Sequence, residues 1–138
     1  MTKIWSDEGL VELRILVTNE ESSFSNTVYV GEAVLREMAG ELLVFRNHVD
    51  GEIKDIRLGE FGPEYANGAF HARFHFRAPG KIFIATHQQS EFSAFSMGEV
   101  AGEAKMYLVS EPVLLDNFIS ALKRLASGAD EQATLVCI

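Results

Sequence analysis

An alternating series of basic side chains within residues 69–77 is the strongest candidate for chemistry in this sequence. Every second position carries a histidine or an arginine, namely His71, Arg73, His75 and Arg77. A period of two places these four side chains on one face of a β-strand, over a length of about 20 Å. Arginine presents a forked set of donors that fits carboxylates and phosphates. The stripe therefore predicts a ligand-binding site for an anionic group; the alternative is a solvated strand face, which alternation alone also produces.

The two histidines of this stripe are also spaced as a metal-binding pair would be on a helix. On a strand, however, positions four residues apart lie about 13 Å from each other. Two such rings are too far apart to share one ion at a bond length of about 2 Å. We therefore predict no metal site, and no motif in the sequence indicates a cofactor.

Motifs for nucleophilic catalysis and phosphate binding are missing from the sequence. There is no Gly-x-Ser-x-Gly motif, and Gly80-Lys81 lacks both the glycine-rich loop and the following Ser or Thr of a P-loop. The single cysteine, Cys137, lies in an apolar Leu-Val-Cys-Ile sequence, where thiols tend to be inert. The sequence assigns no catalytic residue and favours a function without catalysis.

Two phenylalanines fall outside any regular pattern, in the irregular segment 88–102. Exposed apolar residues mark interaction sites, so we interpret Phe92 and Phe95 as candidate partner-binding residues. The alternative is a loop that packs its aromatic side chains against the edge of the core.

A second candidate surface for a partner depends on the turn after the stripe. A two-residue turn at Pro79-Gly80 would pair Arg77 with Ile82 and His75 with Ile84. Both isoleucines would then lie beside the basic stripe and outside the core, where they could support a homodimer. A bulge at this turn would shift the register and undo the pairing.

Hydrophobic periodicity predicts the elements that position these residues. Alternation indicates strands at residues 10–18, 24–30, 69–77, 81–87 and 104–108, with weaker candidates around residues 53–56 and 133–138. Helical spacing of apolar residues indicates helices at residues 31–46 and 112–128. Successive strands with short turns form antiparallel sheets, and two helices with one apolar stripe each must bury it. The predicted fold is α+β, an antiparallel sheet of about six or seven strands with two amphipathic helices on one face.

Composition narrows the class of protein. The chain has 138 residues, 47% of them hydrophobic, which predicts a single domain over residues 1–138. No apolar run of about 18 residues occurs, and the first residues lack the apolar core of a signal peptide. One cysteine cannot form an internal disulfide. We expect a soluble cytoplasmic protein without membrane contact.

The net charge of the chain limits the classes of partner that we expect. The chain carries 20 acidic and 12 basic residues, for a formal net charge of −8. Nucleic-acid binding normally requires a basic face that replaces counterions on the phosphate backbone, so we expect no nucleic-acid partner. A negative surface can attract a basic protein, although keeping the chain soluble is the simpler explanation.

Part of the sequence resembles a known group of proteins. The segment 104–112 reads Ala-Lys-Met-Tyr-Leu-Val-Ser-Glu-Pro and precedes an apolar stripe at Leu115, Phe118, Ile119 and Leu122. Together with Val11-Glu12-Leu13-Arg14-Ile15 and the first helix, this segment is similar to small uncharacterised bacterial proteins. Some of these are grouped with immunity proteins of toxin–antitoxin competition systems. The resemblance implies a binding domain without chemistry and carries over no catalytic residue.

Three hypotheses remain open after these observations. The first is a non-enzymatic module that binds another protein, as an immunity-type protein would. The second is an enzyme or a small-molecule-binding protein with an anionic ligand between the sheet and the segment 88–102. The third, compatible with either, is a homodimer through Ile82 and Ile84.

Overall fold

The chain forms two antiparallel sheets, a short hairpin and two helices. The computed structural model describes residues 1–48, 51–65, 67–95 and 98–138, with the backbone alone for residues 94, 95, 98 and 99. The elements are β1 (Thr2–Asp7), β2 (Leu10–Thr18), β3 (Ser23–Gly31), α1 (Glu32–Arg46), β4 (Ile53–Leu58), β5 (Ala69–Ala78), β6 (Lys81–Gln89), β7 (Ser93–Phe95), β8 (Gly98–Val100), β9 (Glu103–Ser110) and α2 (Pro112–Ser127). Neither helix in these ranges combines the length and apolar character that a membrane crossing requires.

The sheets have the orders β1-β2-β3 and β4-β5-β6-β9, and β7 pairs only with β8. All pairings are antiparallel. The predicted α+β fold with antiparallel strands and two amphipathic helices is confirmed, and the seven longer strands divide between two sheets.

One hydrophobic core joins the inward faces of both sheets to the apolar stripes of both helices. The buried stripes are the predicted ones, with Leu35, Met38, Leu42 and Phe45 in α1 and Leu115, Phe118, Ile119, Leu122 and Leu125 in α2. The Phe45 ring stacks on Phe76 at a centroid distance of 4.8 Å and meets Phe74 edge-on at 6.1 Å. Helix α1 therefore covers the phenylalanine face of β5, which leaves the opposite face to solvent.

The two ends of the chain differ from the predictions. Strand β1 was missed because its register shifts between Lys3 and Trp5, which breaks the alternation that identifies a strand. The strand predicted at residues 133–138 is wrong, since this segment is an extended tail without a ladder. Isolated hydrogen bonds hold the tail instead. In one of them the Ile138 amide donates to the Val109 carbonyl oxygen at 2.8 Å.

A bulge in β5 decides which side chains of β6 reach the core. His75 lies opposite Phe83 and Ala78 opposite Lys81, so Phe76 and Arg77 together face the single residue Ile82. The predicted two-residue pairing is therefore wrong by one position.

This shift also corrects the surface predicted for assembly. Ile82 and Ile84 are 0% and 3% exposed, because the register turns both toward the phenylalanine face. They are core residues, and the isoleucine face proposed for a homodimer does not exist on this molecule.

A buried polar joint connects the two sheets. The Asn26 side-chain amide in β3 donates to the carbonyl oxygens of Ala69 and Gln89, each at 3.1 Å. The Gln88 amide in turn donates to Asn26 Oδ1 at 2.8 Å and to the Ile15 carbonyl at 3.1 Å. Asn26 is 5% and Gln88 0% exposed. Because the large majority of buried polar groups are hydrogen-bonded, these bonds fix where the four-stranded sheet sits against the three-stranded one.

Candidate functional site

In the described part of the chain neither helix packs on one side of the four-stranded sheet, and we call this side the open face. Its outward side chains form three rows that cross β4, β5, β6 and β9 in register. The rows are Arg57, His71, His87 and Lys105; then Asp55, Arg73, Ala85 and Tyr107; then Ile53, His75, Phe83 and Val109. Each of these side chains is partly or fully exposed.

The first row is basic across its whole width, and we call it the basic row. His71 lies directly opposite His87, so the two imidazoles are cross-strand neighbours. Arg57 and Lys105 form the exposed ends. Neither of these two cations has an ion-pair partner within the described residues. Their charges are therefore available to an outside group.

Asp55 lies next to the basic row and holds two residues of the predicted stripe. The Arg73 guanidinium donates to both oxygens of this carboxylate, at 2.8 and 3.0 Å, and His71 Nε2 lies 2.9 Å from Oδ1. Hydrogen bonding from Arg73 is the main reason that the pKa of Asp55 lies well below its usual value, with a smaller contribution from His71. The carboxylate stays ionised and fixes the direction of the guanidinium.

His87 is held from two sides at the other end of the open face. Its Nε2 lies 2.8 Å from Glu103 Oε1, and its ring stacks on Phe61 with centroids 4.2 Å apart and planes 12° apart. Phe61 lies in the connection between β4 and β5, where the Gly62 amide donates to Gln89 Oε1 at 2.9 Å. The described part of this connection thus covers one corner of the open face.

The other two residues of the predicted stripe are His75, which lies in the third row, and Arg77, which lies next to that row. His75 sits between Ile53 and Phe83 in the register. The Arg77 guanidinium lies over the Phe83 ring, 5.0 Å from its centroid, as a cation–π contact. The structure therefore places all four predicted residues on one exposed face, but only His71 and Arg73 share a partner.

The described part of the segment 88–102 begins as strand and not as an irregular loop. Gln88 and Gln89 belong to β6 and are buried, and the rest leads into the β7–β8 hairpin. Phe92 is half-buried, and the prediction for the Phe95 side chain lies outside what the structure describes.

Two shallow hollows of about 230 and 340 Å³ border β9. The smaller one is lined by His87, Glu103, Ala104 and Lys105, at the edge of the open face. The larger one lies between β9 and the turn that joins β2 to β3.

Metal binding and thiol chemistry have no evident site among the described residues. No three histidine, cysteine or acidic side chains among them are arranged to hold a metal ion. Burial raises the pKa of the Cys137 thiol, which disfavours the reactive thiolate. Comparison with protein-family models, curated proteins and solved structures finds no match to this chain.

Several residues of this face were not singled out from the sequence. Arg57, Asp55 and His87 lie on neighbouring strands and join the stripe only through the cross-strand register. Alternation in 103–108 does place Lys105 and Tyr107 on one side of β9. To join Lys105 and Tyr107 to the stripe, one must also know that β9 pairs with β6. No local sequence pattern indicates this pairing.

Replacing Asp55 with asparagine should lower the free energy of unfolding by about 1 kcal/mol at about pH 7, as expected for a partly exposed ion pair. Because the pKa of Asp55 is lower in the folded chain, its contribution is complete above the unfolded value of about 4 and decreases below it. The difference between wild type and Asp55→Asn in urea denaturation should therefore shrink toward about pH 3.

The control is Asp7→Asn, since Asp7 is exposed and makes no ion pair within the described residues. It should change stability little at either pH. An Asp55→Asn effect that stayed the same from about pH 7 to about pH 3 would contradict the assigned role of this carboxylate.

Proposed function

We propose that this protein is a non-enzymatic binding module that recognises an acidic segment of another protein through the open face. The observation that carries the proposal is the basic row, in which Arg57, His71, His87 and Lys105 cross four strands on a surface that no helix covers. Arg57 and Lys105 at its ends are exposed. A carboxylate-rich segment laid across the strands would meet one basic side chain at every strand.

The charge of the open face is opposite to that of the rest of the chain. The three rows of this face carry the permanent cations Arg57, Arg73 and Lys105 against the single carboxylate of Asp55. The whole chain has a net charge of −8. A local positive region on an acidic protein favours one orientation for an acidic partner and repels it elsewhere.

The residue types on this face also favour a protein partner. Tyr107 is 77% exposed in the middle row, beside Ala85 and two places from Arg73. Tyrosine and arginine, together with tryptophan, are enriched among the residues that dominate binding energy at protein interfaces. A broad, uncovered sheet suits a macromolecular surface better than a small ligand, which is usually enclosed by a deep pocket.

A small anionic ligand is the second candidate. It is favoured by the hollow of about 230 Å³ beside His87 and Lys105, which could admit a phosphate or carboxylate group. Glu103 lines the same hollow and would repel an anion. We therefore rank this candidate below the protein partner.

The resemblance to immunity-type proteins supports a narrower proposal, in which the partner is a toxin. In that case the binding surface would neutralise the toxin by covering it. A toxin gene next to the gene of this protein would support this version, and its absence there would count against it.

A pull-down from an extract of its own cells tests the proposed function. The wild-type chain should retain a partner in about equimolar amount, and Arg57→Glu/Lys105→Glu should weaken the affinity for that partner at least about tenfold. The matched control is Arg36→Glu/Lys123→Glu, which changes the net charge equally on exposed helix positions. This control should bind as wild type does.

Two results would contradict the proposal. One is the lack of any equimolar partner, and the other is an equal loss of affinity in both double variants. A thermal shift with inorganic phosphate that disappears only in Arg57→Glu/Lys105→Glu, with no protein recovered, would favour the small-anion candidate instead.

Replacing Tyr107 with alanine separates binding from folding. The side chain is so exposed that its loss should leave the free energy of unfolding within about 0.5 kcal/mol of wild type. Affinity for the recovered partner should nevertheless fall by about tenfold or more. Unchanged affinity would remove the centre of the open face from the interface.

A further inference from the structure

The three-stranded sheet carries a row of different chemistry on its outward side. Trp5 lies opposite Glu12, and Glu12 lies opposite Tyr29, so the three residues cross β1, β2 and β3; we call them the aromatic row. The alternate residues Val11 and Leu13 are fully buried, which directs Glu12 to solvent. Trp5 is 47% and Tyr29 41% exposed, an unusual amount for side chains of this size.

The two rings come from the strands on either side of Glu12 and form a corner. Their centroids are 6.3 Å apart and their planes meet at 78°. Such a perpendicular pair presents aromatic surface from two directions. The faces of Trp and Tyr attract cations through the negative charge density of the ring.

Negative charge surrounds the same corner. Interaction of the Tyr29 hydroxyl with the Glu12 carboxylate is the main reason that the pKa of Tyr29 is raised, and Glu91 adds a smaller electrostatic contribution. Two carboxylates therefore act on the phenol group, and that of Glu12 belongs to the neighbouring strand. Aromatic walls with adjacent carboxylates match an organic cation in both shape and charge.

No cation of the described chain occupies this position. Within the described residues the ring that carries a cation over its face is Phe83, beneath Arg77 on the other sheet. Arg14 lies on the same side of β2 as Glu12 and forms neither an ion pair nor a cation–π contact in this part of the chain. The aromatic row is thus open to a cation from outside.

We infer that the aromatic row binds the guanidinium or ammonium group of a basic side chain in a partner polypeptide. The cation packs against the rings of Trp5 and Tyr29 and pairs with the Glu12 carboxylate. The negative charge of the whole chain assists its approach. This inference concerns a different sheet from the open face and does not depend on the proposed function.

The chain contains a single tryptophan, so the fluorescence of Trp5 reports directly on this site. Titration with a hexa-arginine peptide should give a saturable change in emission. Glu12→Gln should weaken that binding by about tenfold, since it removes the negative charge that pairs with the bound cation. The matched control is Glu20→Gln, an exposed carboxylate in the turn after β2, which should bind as wild type does.

Three outcomes would overturn the inference. The first is a change in emission that rises linearly without saturation, and the second is an equal loss in Glu12→Gln and Glu20→Gln, which would indicate only general attraction to an acidic chain. The third is binding of tetramethylammonium as tight as that of the peptide, which would identify a small quaternary cation as the ligand. Tyr29→Leu, which keeps an apolar side chain on the strand, should weaken peptide binding to a similar degree while the protein remains folded by circular dichroism.

Discussion

Replacing Asn26 with alanine should lower the free energy of unfolding by about 3 kcal/mol. The change removes two donors to buried carbonyl oxygens, those of Ala69 and Gln89, and the acceptor for the Gln88 amide. Each buried group left without a partner costs about 1–3 kcal/mol. Equilibrium unfolding in urea, followed by circular dichroism, measures the loss.

Asn19→Ala is the control for this substitution because it removes the same side chain from an exposed turn. Asn19 Oδ1 accepts from the amides of Glu21 and Ser22 at 2.9 and 2.8 Å, where water can replace it. The cost there should stay below about 1 kcal/mol. Equal costs at Asn19 and Asn26 would show that the polar joint between the sheets does not carry the stability assigned to it.

Replacing Gly68 with alanine should be about as damaging, at about 3 kcal/mol. A Cβ atom at this position would lie 2.2 Å from the Thr27 carbonyl oxygen and 3.0 Å from that of Gln89. Both are backbone atoms of strands that the joint holds together, so neither can move aside alone. The two sheets would have to separate at this point, and a lower unfolding midpoint in urea would report it.

Gly40→Ala provides the opposite expectation in the same assay. Gly40 lies inside α1, and an added Cβ there meets nothing within 4 Å. Alanine should stabilise the chain by about 0.8 kcal/mol, because it loses less conformational freedom in a helix than glycine does. If Gly68→Ala were neutral, the close approach of the two sheets would not be a constraint on the fold.

Elements with an unbroken pattern could be predicted from sequence nearly to the residue. Strand β2 was expected at residues 10–18 and spans Leu10–Thr18, since Val11 and every second residue after it are buried. Helix α2 ends as predicted because Gly128 adopts the left-handed conformation, with φ of 82°. In both cases one local signal is sufficient, and no distant contact opposes it.

The candidate site could be predicted only in part, for a reason that lies in the pairing of strands. The stripe of β5 could be recognised from the alternation of residues because all four of its members lie on one strand. Arg57 and His87 join it through partners that are 14 and 16 residues away in sequence, and Lys105 joins through β6. The aromatic row is hidden in the same way, since Trp5, Glu12 and Tyr29 belong to three strands.

The bulge in β5 takes up one residue more than the ladder with β6 needs. Removing Arg77 would leave a regular two-residue hairpin in which His75 still lies opposite Phe83. Ile82 and Ile84 would then stay in the core, and the cation over the Phe83 ring would be lost. Shortening the hairpin by this one residue should therefore preserve the fold and the basic row.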